Sequence, residues 1–126
     1  MPYEYYNPNP KKQRVDDCSV RALCKVLSKD WADVYSMLCS EGLHLCDIPT
    51  SNYVIGMVLR NYGYEQEMMP STCPSCTTIS GFAVDHPEGK YVLITENHAV
   101  AVVGGTYYDT FDCGEELAIC YYYERE

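Results

Sequence analysis

His98-Ala99-Val100-Ala101-Val102-Val103-Gly104-Gly105-Thr106-Tyr107-Tyr108-Asp109-Thr110-Phe111 is the stretch that decides the fold. Two β-prone runs flank a Gly-Gly pair, the composition of a two-residue hairpin turn. With the glycines as the turn, Val103 pairs with Thr106, Val100 lies opposite Asp109, and His98 lies opposite Phe111. His98, Val100 and Val102 then share a face with Tyr107, Asp109 and Phe111. Asp109 is one diagonal step from His98, about 7–8 Å at the backbone, which two side chains leaning together can close. Asp112 has the wrong parity. A bulge at the glycines would shift this register.

Outward from the hairpin, residues 91–94 and 117–123 read as further strands. Glu88-Gly89, Glu96-Asn97 and Asp112-Cys113-Gly114 read as turns. Upstream the periodicity is helical. A first helix is expected over 17–28, with Asp16 or Asp17 as N-cap and Val20, Ala22, Leu23, Val26 and Leu27 as its apolar stripe. Asp30 caps a second helix over about 31–39, with Trp31, Val34, Tyr35 and Leu38 as core, and Glu41-Gly42 stops it. Residues 43–48 read as a loop. A third helix opens at 49–51 and ends at Gly63. Residues 65–76 read as an irregular linker, and Thr77 or Thr78 caps a short helix that ends at His86-Pro87. Helices first and an antiparallel sheet after them make an α+β layout. The expected organisation is one domain, 1–126, with an extended leader over 1–14, a helical half over 15–64, and a short helix plus sheet over 77–126.

The chain has 126 residues, 47% of them hydrophobic, enough for one self-sufficient core. Its net charge of −9 argues against nucleic acid or an anionic membrane as partner. No apolar run approaches membrane-spanning length, and the first residues lack the basic and apolar regions of a secretory signal. Eight cysteines without such a signal read as free thiols of a reducing cytoplasm. Thirteen tyrosines point to a partly aromatic cleft or contact face.

Cys18 follows Asp16-Asp17 and falls in the first turn of the first helix. Free N–H groups and the helix dipole favour a thiolate there. A cysteine nucleophile needs a base, and the base needs an orienting group. Of His44, His86 and His98, only His98 begins a core strand, and Asp109 is in register to orient it. Each residue has a blander reading: a buried small thiol, a structural histidine, a solvated carboxylate. Their combination is what points to a Cys18–His98–Asp109 triad.

The order Cys18, His98, Asp109, with the cysteine opening the first long helix, resembles the papain-like cysteine peptidases. The Asp-Cys start resembles their small bacteriocin-processing members. The run Gly89-Lys90-Tyr91-Val92-Leu93, then 98–102 and Tyr108-Asp109-Thr110, is similar to small bacterial and phage proteins of this type. The resemblance implies a papain-like fold and acyl transfer on a peptide or protein substrate, by a peptidase or amidase needing no cofactor. The superfamily usually carries an oxyanion-hole glutamine six residues before the nucleophile. Here Lys12 stands at that place and Gln13 follows it. Gln13 serves if the leader is one residue tighter, and Asn7 or Asn9 can substitute.

Two other readings stay open. Cys73-Pro74-Ser75-Cys76 is a C-x-x-C turn that supplies half of a zinc site, with Cys39, His44 and Cys46 for the rest. A catalytically silent papain-like fold would use its tyrosines and acidic surface for protein binding. A Pro-rich leader just before the nucleophile also raises the expectation that 1–14 covers the cleft.

Overall fold

In the computed structural model Gly104 and Gly105 take φ of +60° and +80°. This is the left-handed pair that a tight hairpin needs and that glycine adopts without steric cost. Val103 pairs with Thr106, and the ladder runs on through Val102–Tyr107 and Ala101–Tyr108. The structure describes residues 2–69 and 76–125. Their element order is β1 (Tyr3–Tyr5), α1 (Cys18–Leu27), α2 (Trp31–Leu45), α3 (Asn52–Asn61), β2 (Tyr64–Met68), α4 (Ile79–Asp85), β3 (Lys90–Ile94), β4 (Ala99–Val103), β5 (Thr106–Asp109) and β6 (Cys120–Glu124).

The six strands form one sheet in the order β1-β5-β4-β3-β6-β2. It is mixed, because β1 runs parallel to β5. The layout is therefore α+β, but the expected purely antiparallel sheet is not what forms. Two strands come from segments read as leader and linker. β1 lies inside the 1–14 leader, and β2 occupies the start of 65–76 and pairs antiparallel with β6. Both are polar edge strands. β2 is Tyr-Glu-Gln-Glu-Met, with only Tyr64 buried. Charged edges of this kind discourage further pairing, and they also hide the strand's alternation.

Period-two alternation divides the strands' side chains between two cores. Val92, Ile94, Ala99, Ala101 and Tyr122 face α1, α2 and α3. Leu93, Val100, Val102 and Tyr107 face α4 through Ile79, Phe82 and Ala83. α1 packs across β4, the central hairpin strand, and touches β3 and β5 beside it. That crossing sets the start of α1 against the start of β4.

α2 overruns its expected end at Glu41-Gly42 and continues to Leu45. Gly42 is buried within it, and a Cβ there would lie 2.9 Å from the Asp47 carbonyl and 3.2 Å from Pro49. The glycine is required by the returning loop rather than by a helix stop. The remaining caps follow expectation: Asp30, Ser51 and Thr78 accept first-turn N–H groups of α2, α3 and α4. Among the described residues no helix is long and apolar enough to cross a membrane.

Candidate active site

Asp17 takes the N-cap position of α1 but caps nothing with its side chain. Its carboxylate accepts from Arg21 Nη1 at 2.5 Å and from Trp31 Nε1 at 2.9 Å. The expected capping bond is replaced by a buried ion pair one helical turn on. The first-turn N–H groups around Cys18 are therefore left without a side-chain cap.

Arg21 carries the network inward. Its Nη2 donates to Asp109 Oδ1 at 2.8 Å, and the Thr110 N–H donates to the same oxygen at 2.8 Å. The other oxygen, Oδ2, meets His98 Nε2 at 2.5 Å. Asp109 is 0% exposed, so both oxygens work without solvent. The diagonal His98–Asp109 contact read from the hairpin is thus made. With Nε2 committed to Asp109, Nδ1 is the ring nitrogen left for a thiol. The Thr95–His98 turn, closed by Thr95 N to His98 O at 2.8 Å, and the Phe111 ring, 5.2 Å from the imidazole, hold His98 in place.

Cys18 lies at the end of this chain of alternating charge. Burial alone would raise its pKa. The hydrogen bond with His98, the N–H of Ala99, and the charges of His98 and Arg21 hold it below the ordinary thiol value. Burial likewise works against charge on His98, but its hydrogen bonds with Asp109, Cys113 and Cys18 override this and push it up to about 12. Burial opposes charge on Asp109 too, yet His98 foremost, then the Cys113 thiol and Arg21, keep its carboxyl below the usual range. Each of the three shifts favours the charged form of its group: thiolate on Cys18, imidazolium on His98, carboxylate on Asp109.

Cys18 and His98 open onto a cleft of about 220 Å³, whose walls include Thr50, Asn52, Glu96 and Asn97. No described residue of the leader lines it. The leader is tied to the sheet edge instead: Tyr6 N and Tyr3 Oη donate to the Asp109 carbonyl at 2.9 and 3.2 Å. The expected cover over the cleft is replaced by a strap behind the triad. Gln13 is exposed and outside the cleft. Asn7 Nδ2 donates to its carbonyl, and its N–H donates to Asn9 Oδ1. Asn7 and Asn9 are buried and hold the leader's turn, so neither reaches the cleft wall.

Arg21 and Cys113 were missed as members of the site. Arg21 had a signal: a charge amid the apolar stripe of α1, one helical turn from Asp17. Cys113, in a turn after β5, had none. Among the described residues the single cluster of possible metal ligands is His98, Asp109 and Cys113, whose ligand atoms lie within 4.8 Å of one another. Nε2 and Oδ2 are 2.5 Å apart, a hydrogen-bond distance. Ligands each about 2.0–2.3 Å from a tetrahedral zinc would stand well over 3 Å apart. As arranged, the pair holds a proton rather than a metal. Of the expected zinc turn, Cys73 lies outside the described residues and Cys76 is disulfide-bonded. Cys39, His44 and Cys46 do not gather as ligands. A larger cavity of about 540 Å³, among Tyr91, Tyr121 and Tyr123, contains no cysteine.

No protein-family model, curated protein or solved structure matches the chain.

Proposed function

We propose that the protein is a cysteine-dependent acyl-transfer hydrolase of papain-like type, a peptidase or amidase using Cys18, His98 and Asp109. The observation that carries this reading is Asp109, fully buried and shared between Arg21 and His98. A buried carboxylate costs stability unless each oxygen is paired. Here the pairing fixes an imidazole whose second nitrogen serves a thiol at an uncapped helix start. A helix opened by the cysteine and packed on a sheet whose β5 ends at Asp109 also suits a papain-like fold, with His98 one residue before β4 rather than beginning it as expected.

In the reaction the Cys18 thiolate attacks the carbonyl carbon of an amide or thioester. The C–S bond forms as the carbonyl π electrons move to oxygen. In this reading the Cys18 N–H at the start of α1 receives that oxyanion. His98 then gives its proton to the leaving group as the old bond breaks. Water, losing a proton to His98, attacks the thioester and releases Cys18 as thiolate. Asp109 keeps the ring oriented and its positive charge supported throughout. A reducing cytoplasm belongs to the proposal, although the disulfide at Cys76 departs from the expectation that all eight cysteines are free thiols.

The test is acyl capture. Incubation with p-nitrophenyl acetate should leave an acetyl group on Cys18, read by mass spectrometry, with none on His98→Ala protein. The silent binding module is favoured by one observation, the position of Gln13 outside the cleft. Absence of both an acetylated Cys18 and a Cys18-dependent release of p-nitrophenolate, under conditions that acetylate free cysteine, would decide for it.

A further inference from the structure

The walls of the Cys18 cleft carry a consistent charge. Asp16 and Glu96 line it, and no lysine or arginine does. Both carboxylates are exposed, and neither joins an ion pair among the described residues. The Thr95-Glu96-Asn97 turn also borders a second groove of about 500 Å³, completed by Glu116, Leu117 and Ile119. Leu117 is 41% exposed there, an apolar side chain on a wall that again contains no cation. The first cavity, about 220 Å³, is below the roughly 300–1,000 Å³ of pockets that enclose a compact small molecule. It has room for a short piece of extended chain.

We propose that the substrate is a basic peptide: a lysine or arginine beside the acyl group presented to Cys18, with an apolar residue beyond it. This rests on Cys18 being the nucleophile. The basic side chain would lie between Asp16 and Glu96, and the apolar one against Leu117 and Ile119. His98 does not offset the wall, because its ring is already paired with the buried Asp109 carboxylate, whose Oδ2 lies 2.5 Å from Nε2. A cleft lined by one sign of charge concentrates the opposite sign at its floor. Acidic peptides are correspondingly rejected.

Three methanethiosulfonates test this on the intact protein: 2-aminoethyl (cationic), 2-sulfonatoethyl (anionic) and methyl (neutral). Each transfers its thioalkyl group to a thiolate and releases methanesulfinate. Rates are mapped by mass at Cys18 and at Cys46, an exposed free thiol that serves as internal reference for the charge of the whole chain. The cationic reagent should react about tenfold faster than the anionic one at Cys18, normalised to Cys46. In the Asp16→Asn/Glu96→Gln double variant that ratio should fall severalfold at Cys18 and hold at Cys46. A ratio near one, or one that the double variant does not move, would overturn the basic-peptide assignment. If the neutral reagent still labels Cys18 rapidly, the nucleophile stands without it. If the neutral reagent does not label Cys18, the nucleophile fails and the substrate assignment fails with it.

Discussion

Cys18 and Cys113 meet the same imidazole, yet their thiols are driven in opposite directions. Both are partly or wholly buried, and both hydrogen-bond with His98. Cys18 is held below the ordinary thiol value. Cys113 is pushed up to about 11, by burial first and then by the Asp109 carboxylate, although His98 opposes both. The difference lies in what else touches each sulfur. Cys18 sits at a helix start and receives the Ala99 N–H, donors that favour a negative sulfur. Cys113 sits on the carboxylate side of the ring, where a second negative charge is repelled. A nearby base is therefore not enough to make a nucleophile, because the rest of the sulfur's surroundings decides.

The largest effect should come from exchanging the two thiols' fates. Cys18→Ala should abolish thiol labelling at mildly acidic pH, and Cys113→Ala should retain it at Cys18, both read by mass mapping. Labelling that moves to Cys113 in the first variant would break the comparison.

Titration sharpens it next. Cys18 alkylation should stay fast well below the ordinary thiol pKa of about 8.5 and fall only as pH drops through its depressed value. Cys113 should stay unlabelled until pH approaches 11. Rate–pH profiles for the two tryptic peptides read both outcomes.

Asp109→Asn removes the charge that separates the two thiols. It also leaves Arg21 with Asp17 as its remaining carboxylate, and should cost about 3–5 kcal/mol in urea unfolding at neutral pH. Asp109 titrates below its unfolded value in the native state, so its contribution is present above about pH 4. It is lost as pH falls through the depressed native value, and the stability gap between wild type and variant should narrow there.

The smallest effect is expected at the surface pair. Arg125 Nη1 lies 3.7 Å from Glu65 Oε1 with both side chains largely exposed. Arg125→Gln should change stability by less than about 0.5 kcal/mol in the same titration. A cost like that of Asp109→Asn would mean that burial is not what distinguishes the two ion pairs.

The parts of the site that were legible in sequence depend on local rules. Gly104-Gly105 fixes a hairpin register, and the register puts Asp109 near His98. An Asp followed by Cys before an apolar stripe places Cys18 at a helix start. The parts that were not legible depend on distant partners. Asp17 reads as a cap until Arg21 and Trp31 are seen to occupy its oxygens. Cys113 reads as a turn residue until the turn after β5 folds back under the imidazole. β2 is not legible because it carries charge where alternation would be read, β1 because it is only three residues long, and the end of α2 because Gly42 serves a neighbour's backbone. The leader was expected over the cleft. Its tyrosines instead bind the Asp109 main chain from behind.

The most direct measurement is iodoacetamide labelling of the native protein at about pH 6, mapped to individual cysteines, for wild type and His98→Ala side by side. At that pH an ordinary thiol, with a pKa of about 8.5, is almost wholly protonated. The thiolate–imidazolium pair predicts rapid, selective labelling of Cys18 in wild type and its loss in the variant. Labelling spread evenly over the free cysteines, or Cys18 labelling indifferent to His98, would contradict it.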